Sequence, residues 1–116
     1  TLFQAGLRLF NEKNFYDAHE KWEDLWSDYY LKDRLFIQGL IQLSVSFVHL
    51  KNNNLKGAKS LLNKCKQKFE GFDIQRGIDV KKLLISIEKV QDNYDHIDSL
   101  EDFNWSLVPN LGENLE

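Results

Sequence analysis

The segment from Leu35 to Leu50 is apolar on nearly every side when its residues are placed at helical spacing. A surface helix keeps one polar face, whereas a helix that is apolar all round must be covered by neighbouring elements. Pro109 is the only proline, and six glycines leave few other interruptions. The segment therefore predicts an all-α fold that is built around a central buried helix.

The patterning before and after this segment predicts four more helices. We predict five in all, over about 1–12, 14–30, 34–51, 55–70 and 79–94, with Asn14 and Asp33 as the N-terminal caps of the second and third. No segment alternates with period two, so we expect no strand pairs. A chain of 116 residues can bury one core. We expect a single compact bundle over residues 1–116, with a helical core to about 95 and an extended C-terminal arm over about 96–116 that lies back on it, since Pro109 stops any helix there.

Composition excludes several classes of partner. The net charge is -3 and the pI is near 5.6, which gives no electrostatic signal for nucleic acid. The lysines between Lys56 and Lys68 are typical of a solvated helix face. No apolar run reaches the roughly 18 residues that a membrane-spanning helix needs. Cys65 is the only cysteine and cannot form an internal disulfide, so we expect a cytoplasmic protein that binds neither nucleic acid nor membrane.

Ionisable and aromatic residues are concentrated in one segment of the second helix, Ala18 to Trp26. His19 and Glu23 are one turn apart and lie on nearly the same side of the helix. The row Phe15, His19, Trp22, Trp26 places the histidine on the apolar side. Because burying an ionisable group without a partner is costly, His19 needs polar company.

The central helix offers that company. At about 100° per residue, Gln38, Gln42 and His49 fall within roughly 40° of one another and form one polar stripe. We predict a buried hydrogen-bonded network between this stripe and the second helix. The residues assigned to this network, or to a ligand-binding pocket lined by the same groups, are His19, Glu20, Glu23, Trp26, Gln38, Gln42 and His49.

A metal site is the sharper alternative. The sequence H-E-x-x-E at His19 differs from the zinc-peptidase pattern H-E-x-x-H only in its last residue. His19, Glu23 and His49 are then the candidate ligands of a divalent ion such as zinc, and Glu20 is the candidate catalytic base. Glutamines are poor zinc ligands but versatile members of a network, so we favour the network and expect no cofactor.

Three sequence blocks resemble one known family, the small helical domain-of-unknown-function family 309. The first block runs from Phe10 to Trp26 and matches the signature F-N-x-x-x-[FY]-x-x-A-H-E-x-x-E-x-x-W. The second contains Arg34, Phe36-Ile37-Gln38-Gly39-Leu40-Ile41-Gln42-Leu43 and His49, and the third contains Gly57-Ala58 and Leu61-Leu62. The blocks cover about the first two-thirds of the chain.

This resemblance implies a compact helical bundle without an established activity, although some members carry a speculative metal-dependent hydrolase label. No complete catalytic constellation can be read from the residues. We therefore favour an interaction or scaffold domain that binds a protein partner or self-associates. The alternatives are a metal-dependent hydrolase and a small-ligand-binding pocket.

Overall fold

Five α-helices make up most of the fold in the computed structural model, which describes residues 1–112. They are α1 (Leu2–Asn11), α2 (Phe15–Asp28), α3 (Arg34–Lys51), α4 (Leu55–Phe69) and α5 (Val80–Asp95). Consecutive helices pack against each other from α1 to α5, and α3 contacts both α2 and α4. The prediction of an all-α bundle of five helices is confirmed. No helix within residues 1–112 is both long and apolar enough to cross a membrane.

The central helix α3 supplies the largest share of the core. Ten of its residues are buried, and Phe36, Ile37, Leu40, Leu43 and Phe47 have no exposed surface. One apolar residue of the first turn lies outside the core, since Leu35 is 57% exposed. The buried apolar side chains of the whole bundle form one continuous cluster. The cluster is completed between α1 and α2, which approach each other closely. A Cβ atom at Gly6 would overlap the indole of Trp22.

Helix starts follow capping chemistry only in part. Asn54 and Asp79 cap α4 and α5, because their side-chain oxygens accept hydrogen bonds from the backbone N–H groups of Gly57 (2.9 Å) and Lys82 (3.2 Å). The predicted caps Asn14 and Asp33 do precede α2 and α3, but neither side chain makes a capping bond. The carboxylate of Asp33 has a different partner.

That partner belongs to a strand pair that the sequence analysis did not predict. Strands β1 (Ile74–Gln75) and β2 (Ile78–Asp79) form an antiparallel hairpin between α4 and α5. Strands of two residues are too short to produce an alternating pattern, which explains the error. At the turn, Arg76 has a φ of 51° and Gly77 a φ of 80°, the left-handed region that tight hairpins require.

The hairpin is tied to the α2–α3 junction by the carboxylate of Asp33. This carboxylate accepts hydrogen bonds from Arg76 Nε (2.6 Å), Arg76 Nη2 (3.0 Å) and Gln75 Nε2 (3.0 Å). The hydrogen bond from Arg76, supported by that from Gln75, outweighs burial and lowers the pKa of Asp33 below its usual value.

The C-terminal arm is less extended than expected. It contains two short 3-10 helices, Leu100–Asp102 and Trp105–Leu107, and it buries Phe103 and Leu111. The side chain of Asn11 at the end of α1 exchanges two hydrogen bonds with the backbone of Leu111, at 2.8 and 3.0 Å. The arm lies back on the bundle as expected, and the two 3-10 turns within it are too short to give a periodic signal in the sequence. Residues 113–116 of the predicted arm lie outside the described residues.

Candidate functional site

A cavity of about 260 Å³ lies where α2, α3 and α4 meet. Helical spacing explains its lining, since residues three, four and seven positions apart share a face. The residues that line it are Glu23 and Trp26 from α2, Gln38, Ile41, Gln42 and Val45 from α3, and Leu61 from α4. Four of the seven site residues predicted from the sequence therefore line one cavity, namely Glu23, Trp26, Gln38 and Gln42.

Two polar atoms of this lining are buried without a hydrogen-bond partner among residues 1–112: Trp26 Nε1 and Gln42 Oε1. The indole nitrogen is a donor and the amide oxygen is an acceptor. Leaving such a group unpaired in the interior costs about 1–3 kcal/mol of folding free energy. Two residues that line the cavity thus carry one unused donor and one unused acceptor, both covered in this structure.

The predicted network does not form across this cavity. Within the described part of the chain, the side chains of Glu23 and Gln38 make no hydrogen bond or ion pair. Residues of α2 and the glutamines of α3 do line one cavity, as the two stripes indicated. The hydrogen bonds that were expected to join them are absent from residues 1–112, although these four residues line one cavity.

The indole of Trp26 is held in position by Arg34, the first residue of α3. The guanidinium carbon lies 3.9 Å from the ring centroid, and Arg34 Nη1 donates a hydrogen bond of 3.4 Å to the Trp26 carbonyl oxygen. A cation stacked on an indole face is attracted by the ring electrons. Arg34 therefore restricts the orientation of this ring, which belongs to a residue that lines the cavity.

His19 is not part of this site. Its Nδ1 atom lies 2.8 Å from the carbonyl oxygen of Tyr16, and its ring packs edge-on against the Tyr16 ring. A carbonyl oxygen only accepts, so Nδ1 carries the proton and donates. The polar requirement of His19 is therefore met within its own helix, at a spacing of three residues, and the prediction that it joins the central helix is wrong.

His49 is also elsewhere. The side-chain amide of Asn54 donates to His49 Nδ1 (3.2 Å) while its oxygen accepts from Gly57 N, so His49 is bound to the α3–α4 turn. His49 follows Gln38 by eleven positions, which is about 16 Å along the helix axis at 1.5 Å per residue. The residues of the predicted stripe lie at similar angles around α3, but His49 is far from Gln38 along the helix axis.

The candidate metal ligands are not brought together either. No group of three or more His, Cys, Asp or Glu side chains within residues 1–112 is arranged to hold a metal ion. Glu20, the candidate base, is exposed on α2 and does not line the cavity, whereas Glu23 does. In the described part of the chain, His19, Glu23, His49 and Glu20 therefore do not form one site.

Sequence reasoning missed the apolar walls of the cavity. Ile41, Val45 and Leu61 read as ordinary core positions. Ile41 and Val45 lie one turn from Gln38 and Gln42, but that spacing does not distinguish a core position from a cavity wall. That distinction depends on how closely neighbouring helices approach.

The family described as "Domain of unknown function (DUF309)" matches residues 3–61 of the chain. This range contains α1, α2, α3 and the first half of α4, and it includes every residue that lines the cavity. No curated protein and no solved structure matches the chain.

Proposed function

Because the chain belongs to the DUF309 family, whose description assigns no activity, we propose a function from the site itself: a binding domain with the α2–α3–α4 cavity as its recognition site. This is an interaction domain of the kind that the sequence favoured, with a defined place for the ligand. The matched range encloses the whole cavity, so the proposal concerns the part of the chain that defines the family.

The observation that carries this proposal is the unused donor–acceptor pair of Trp26 and Gln42. A domain selected for stability alone gains by replacing such groups with apolar ones of similar shape. Polar groups that are kept at a cost in stability are typical of functional sites. A ligand that bonds to both atoms would remove that cost in the complex.

Binding is favoured over catalysis by the chemistry of the lining. General acid–base or nucleophilic catalysis needs two or more cooperating groups within hydrogen-bond reach. Glu23 is the one ionisable side chain among the residues that line the cavity. The volume of about 260 Å³ also lies just below the roughly 300–1,000 Å³ that is usual for drug-sized ligands. It suits a single side chain of a partner or a fragment of similar size.

Indole N–H signals in ¹H–¹⁵N NMR spectra test this proposal. The chain has three tryptophans, and Trp22 is an internal control because its Nε1 already donates to the Phe3 carbonyl oxygen (3.2 Å). Butyramide, butylammonium, butyrate and n-butanol serve as probes of different chemistry at millimolar concentration. We expect at least one probe to shift the Trp26 signal selectively and in a saturable manner.

The variant Gln42→Met should weaken this response, whereas the same change at the exposed Gln67 on α4 should leave it intact. A spectrum in which no probe moves the Trp26 signal, or in which every probe moves all three indole signals alike, would refute the proposed site.

A further inference from the structure

The unused groups of the cavity restrict the chemistry of what it can hold. Trp26 Nε1–H can only donate, and Gln42 Oε1 can only accept. A ligand group that satisfies both must present both an acceptor and a donor. An ammonium or guanidinium group only donates and leaves the indole unpaired. A carboxylate or phosphate only accepts, so it leaves Gln42 unpaired and lies near the like charge of Glu23.

Glu23 adds a second acceptor to the same lining. Its carboxylate has no bonding partner elsewhere in the part of the chain that the structure describes. A group with two N–H donors can therefore bond to Gln42 and Glu23 while its oxygen accepts from Trp26. A hydroxyl group has a single donor and can satisfy only one of these two acceptors.

The remaining walls indicate the rest of the ligand. Ile41, Val45 and Leu61 are apolar and lie one turn or one helix away from the polar groups. They suit a short aliphatic stem that is removed from water together with the polar end. Because burying a neutral polar group costs far less than burying a charge, a neutral end group is also preferred.

We infer that the cavity recognises a primary carboxamide on a short aliphatic stem. The inference rests on the proposed function and specifies its ligand class. The carboxamide oxygen accepts from Trp26 Nε1, and its two N–H groups donate to Gln42 Oε1 and to the Glu23 carboxylate. The same chemistry is offered by a glutamine or asparagine side chain of a protein partner and by a free small amide.

Entry of this group requires a movement of Gln42. Neither Trp26 Nε1 nor Gln42 Oε1 has accessible surface in this structure. The ring of Trp26 is held by Arg34 at 3.9 Å, whereas the half-buried Gln42 side chain has rotatable bonds and can turn. Binding should therefore perturb the Gln42 side-chain amide signals together with the Trp26 indole signal.

A titration with isosteric probes tests the ligand class. Butyramide, butyrate, butylammonium and 2-pentanone share one stem and differ in their end group. We expect butyramide to bind at least about tenfold more tightly than the other three, since each of them leaves at least one buried group without a partner. Gln42→Met and Glu23→Gln should each weaken butyramide several-fold, while Gln67→Met and Glu20→Gln, at exposed positions, should not. Thermal unfolding of each variant confirms that it is folded.

Two blocked tripeptides distinguish the sources of the carboxamide. Acetyl-Gly-Gln-Gly-N-methylamide is compared with butyramide and with the same peptide carrying glutamate. Tighter binding of the glutamine peptide than of butyramide assigns the site to a protein partner, and the reverse order assigns it to a free amide. Either order supports the carboxamide class.

The failures are separable. If butylammonium or butyrate shifts the Trp26 signal as tightly as butyramide, the carboxamide class is wrong while the binding site stands. If no probe shifts that signal, both the carboxamide class and the proposed function are wrong. Gln42 would then be expected to turn and accept directly from the indole.

Discussion

Two polar positions on α3, the half-buried Gln42 and the buried Ser46, are one helical turn apart and have opposite outcomes. Ser46 Oγ donates to the Ala58 carbonyl oxygen of α4 at 2.7 Å and lies 3.1 Å from the Tyr94 hydroxyl of α5. Gln42 Oε1 has no hydrogen-bond partner among residues 1–112. The serine joins three helices, whereas the glutamine lines a cavity. A buried polar residue on a central helix is therefore structural where the fold supplies its hydrogen-bond partners. Where the fold does not supply them, the residue is available for recognition.

The Ser46 site is closed to solvent as well as satisfied. Ser46 and Tyr94 have no exposed surface, and burial raises the pKa of the Tyr94 hydroxyl well above its usual value. The hydroxyl therefore stays protonated and donates to Ser46 Oγ, because the serine proton is used on Ala58. Both hydroxyl protons at this site are used within the fold, and neither residue has surface that a ligand could reach.

The largest expected effect on stability comes from removing the hydrogen bonds of Ser46. Ser46→Ala should lower the free energy of unfolding by about 1–3 kcal/mol, because the buried Tyr94 hydroxyl loses its acceptor. Urea denaturation measures this change. Ser44→Ala is the matched control on the same helix, since Ser44 Oγ donates only to the Leu40 carbonyl oxygen in its own helix (3.0 Å) and should cost within about 0.5 kcal/mol. Equal losses in the two variants would contradict a structural role for the Ser46 bonds.

The second-largest effect concerns the Asp33 carboxylate, a charged group whose hydrogen-bond partners lie within the fold. Asp33→Asn should cost about 1–2 kcal/mol at pH 7, because the 11% exposed carboxylate loses its charge-assisted bonds to Arg76. The pKa of Asp33 is lowered in the folded state, so its contribution is fully present above the unfolded value of about 3.9 and is lost as pH falls from there through the folded pKa.

Urea denaturation between neutral pH and about pH 2.5 checks the sign of this effect. The gap in stability between the parent and Asp33→Asn should be constant above about pH 5 and close below about pH 4. A gap that widens in acid would show that the Asp33 carboxylate is not stabilised by Arg76 and Gln75.

The third effect concerns Gln42, whose side-chain oxygen has no hydrogen-bond partner among residues 1–112, and here the substitution should raise stability. Gln42→Met keeps the length of the side chain and removes the unpaired acceptor, so we expect it to raise the free energy of unfolding by about 0.5–1.5 kcal/mol. Gln67→Met, the same change at an exposed position, should stay within about 0.5 kcal/mol of the parent. A clear loss of stability in Gln42→Met would mean that Gln42 is bonded within the fold, and the contrast with Ser46 would disappear.

The smallest expected effect on stability is at Glu23. Its carboxylate makes no ion pair or hydrogen bond within residues 1–112, so Glu23→Gln should change the free energy of unfolding by less than about 0.5 kcal/mol. Glu20→Gln should be equally tolerated. The affinity for butyramide should then distinguish the two variants, since only Glu23 lines the cavity. Identical affinities in both variants would remove Glu23 from the recognition site.

Much of this architecture could be predicted because helical periodicity is local. The apolar segment around Leu40 identified α3, and the same periodicity placed Glu23, Trp26, Gln38 and Gln42 on faces that do meet. It placed His19 and His49 in the same site only because an angle around a helix says nothing about distance along it. His49 lies at the end of α3, and His19 bonds to its own helix.

The sequence by itself determined the all-α class, the central helix and the family, since apolar spacing and a contiguous motif depend on neighbouring residues alone. Only the tertiary structure decided which polar groups are paired. Ser46 meets Tyr94 across 48 positions and Asp33 meets Arg76 across 43, while Trp26 and Gln42 meet no partner among residues 1–112. A hydrogen bond requires its two atoms to approach within about 3 Å, and that distance is set by the packing of helices far apart in the chain.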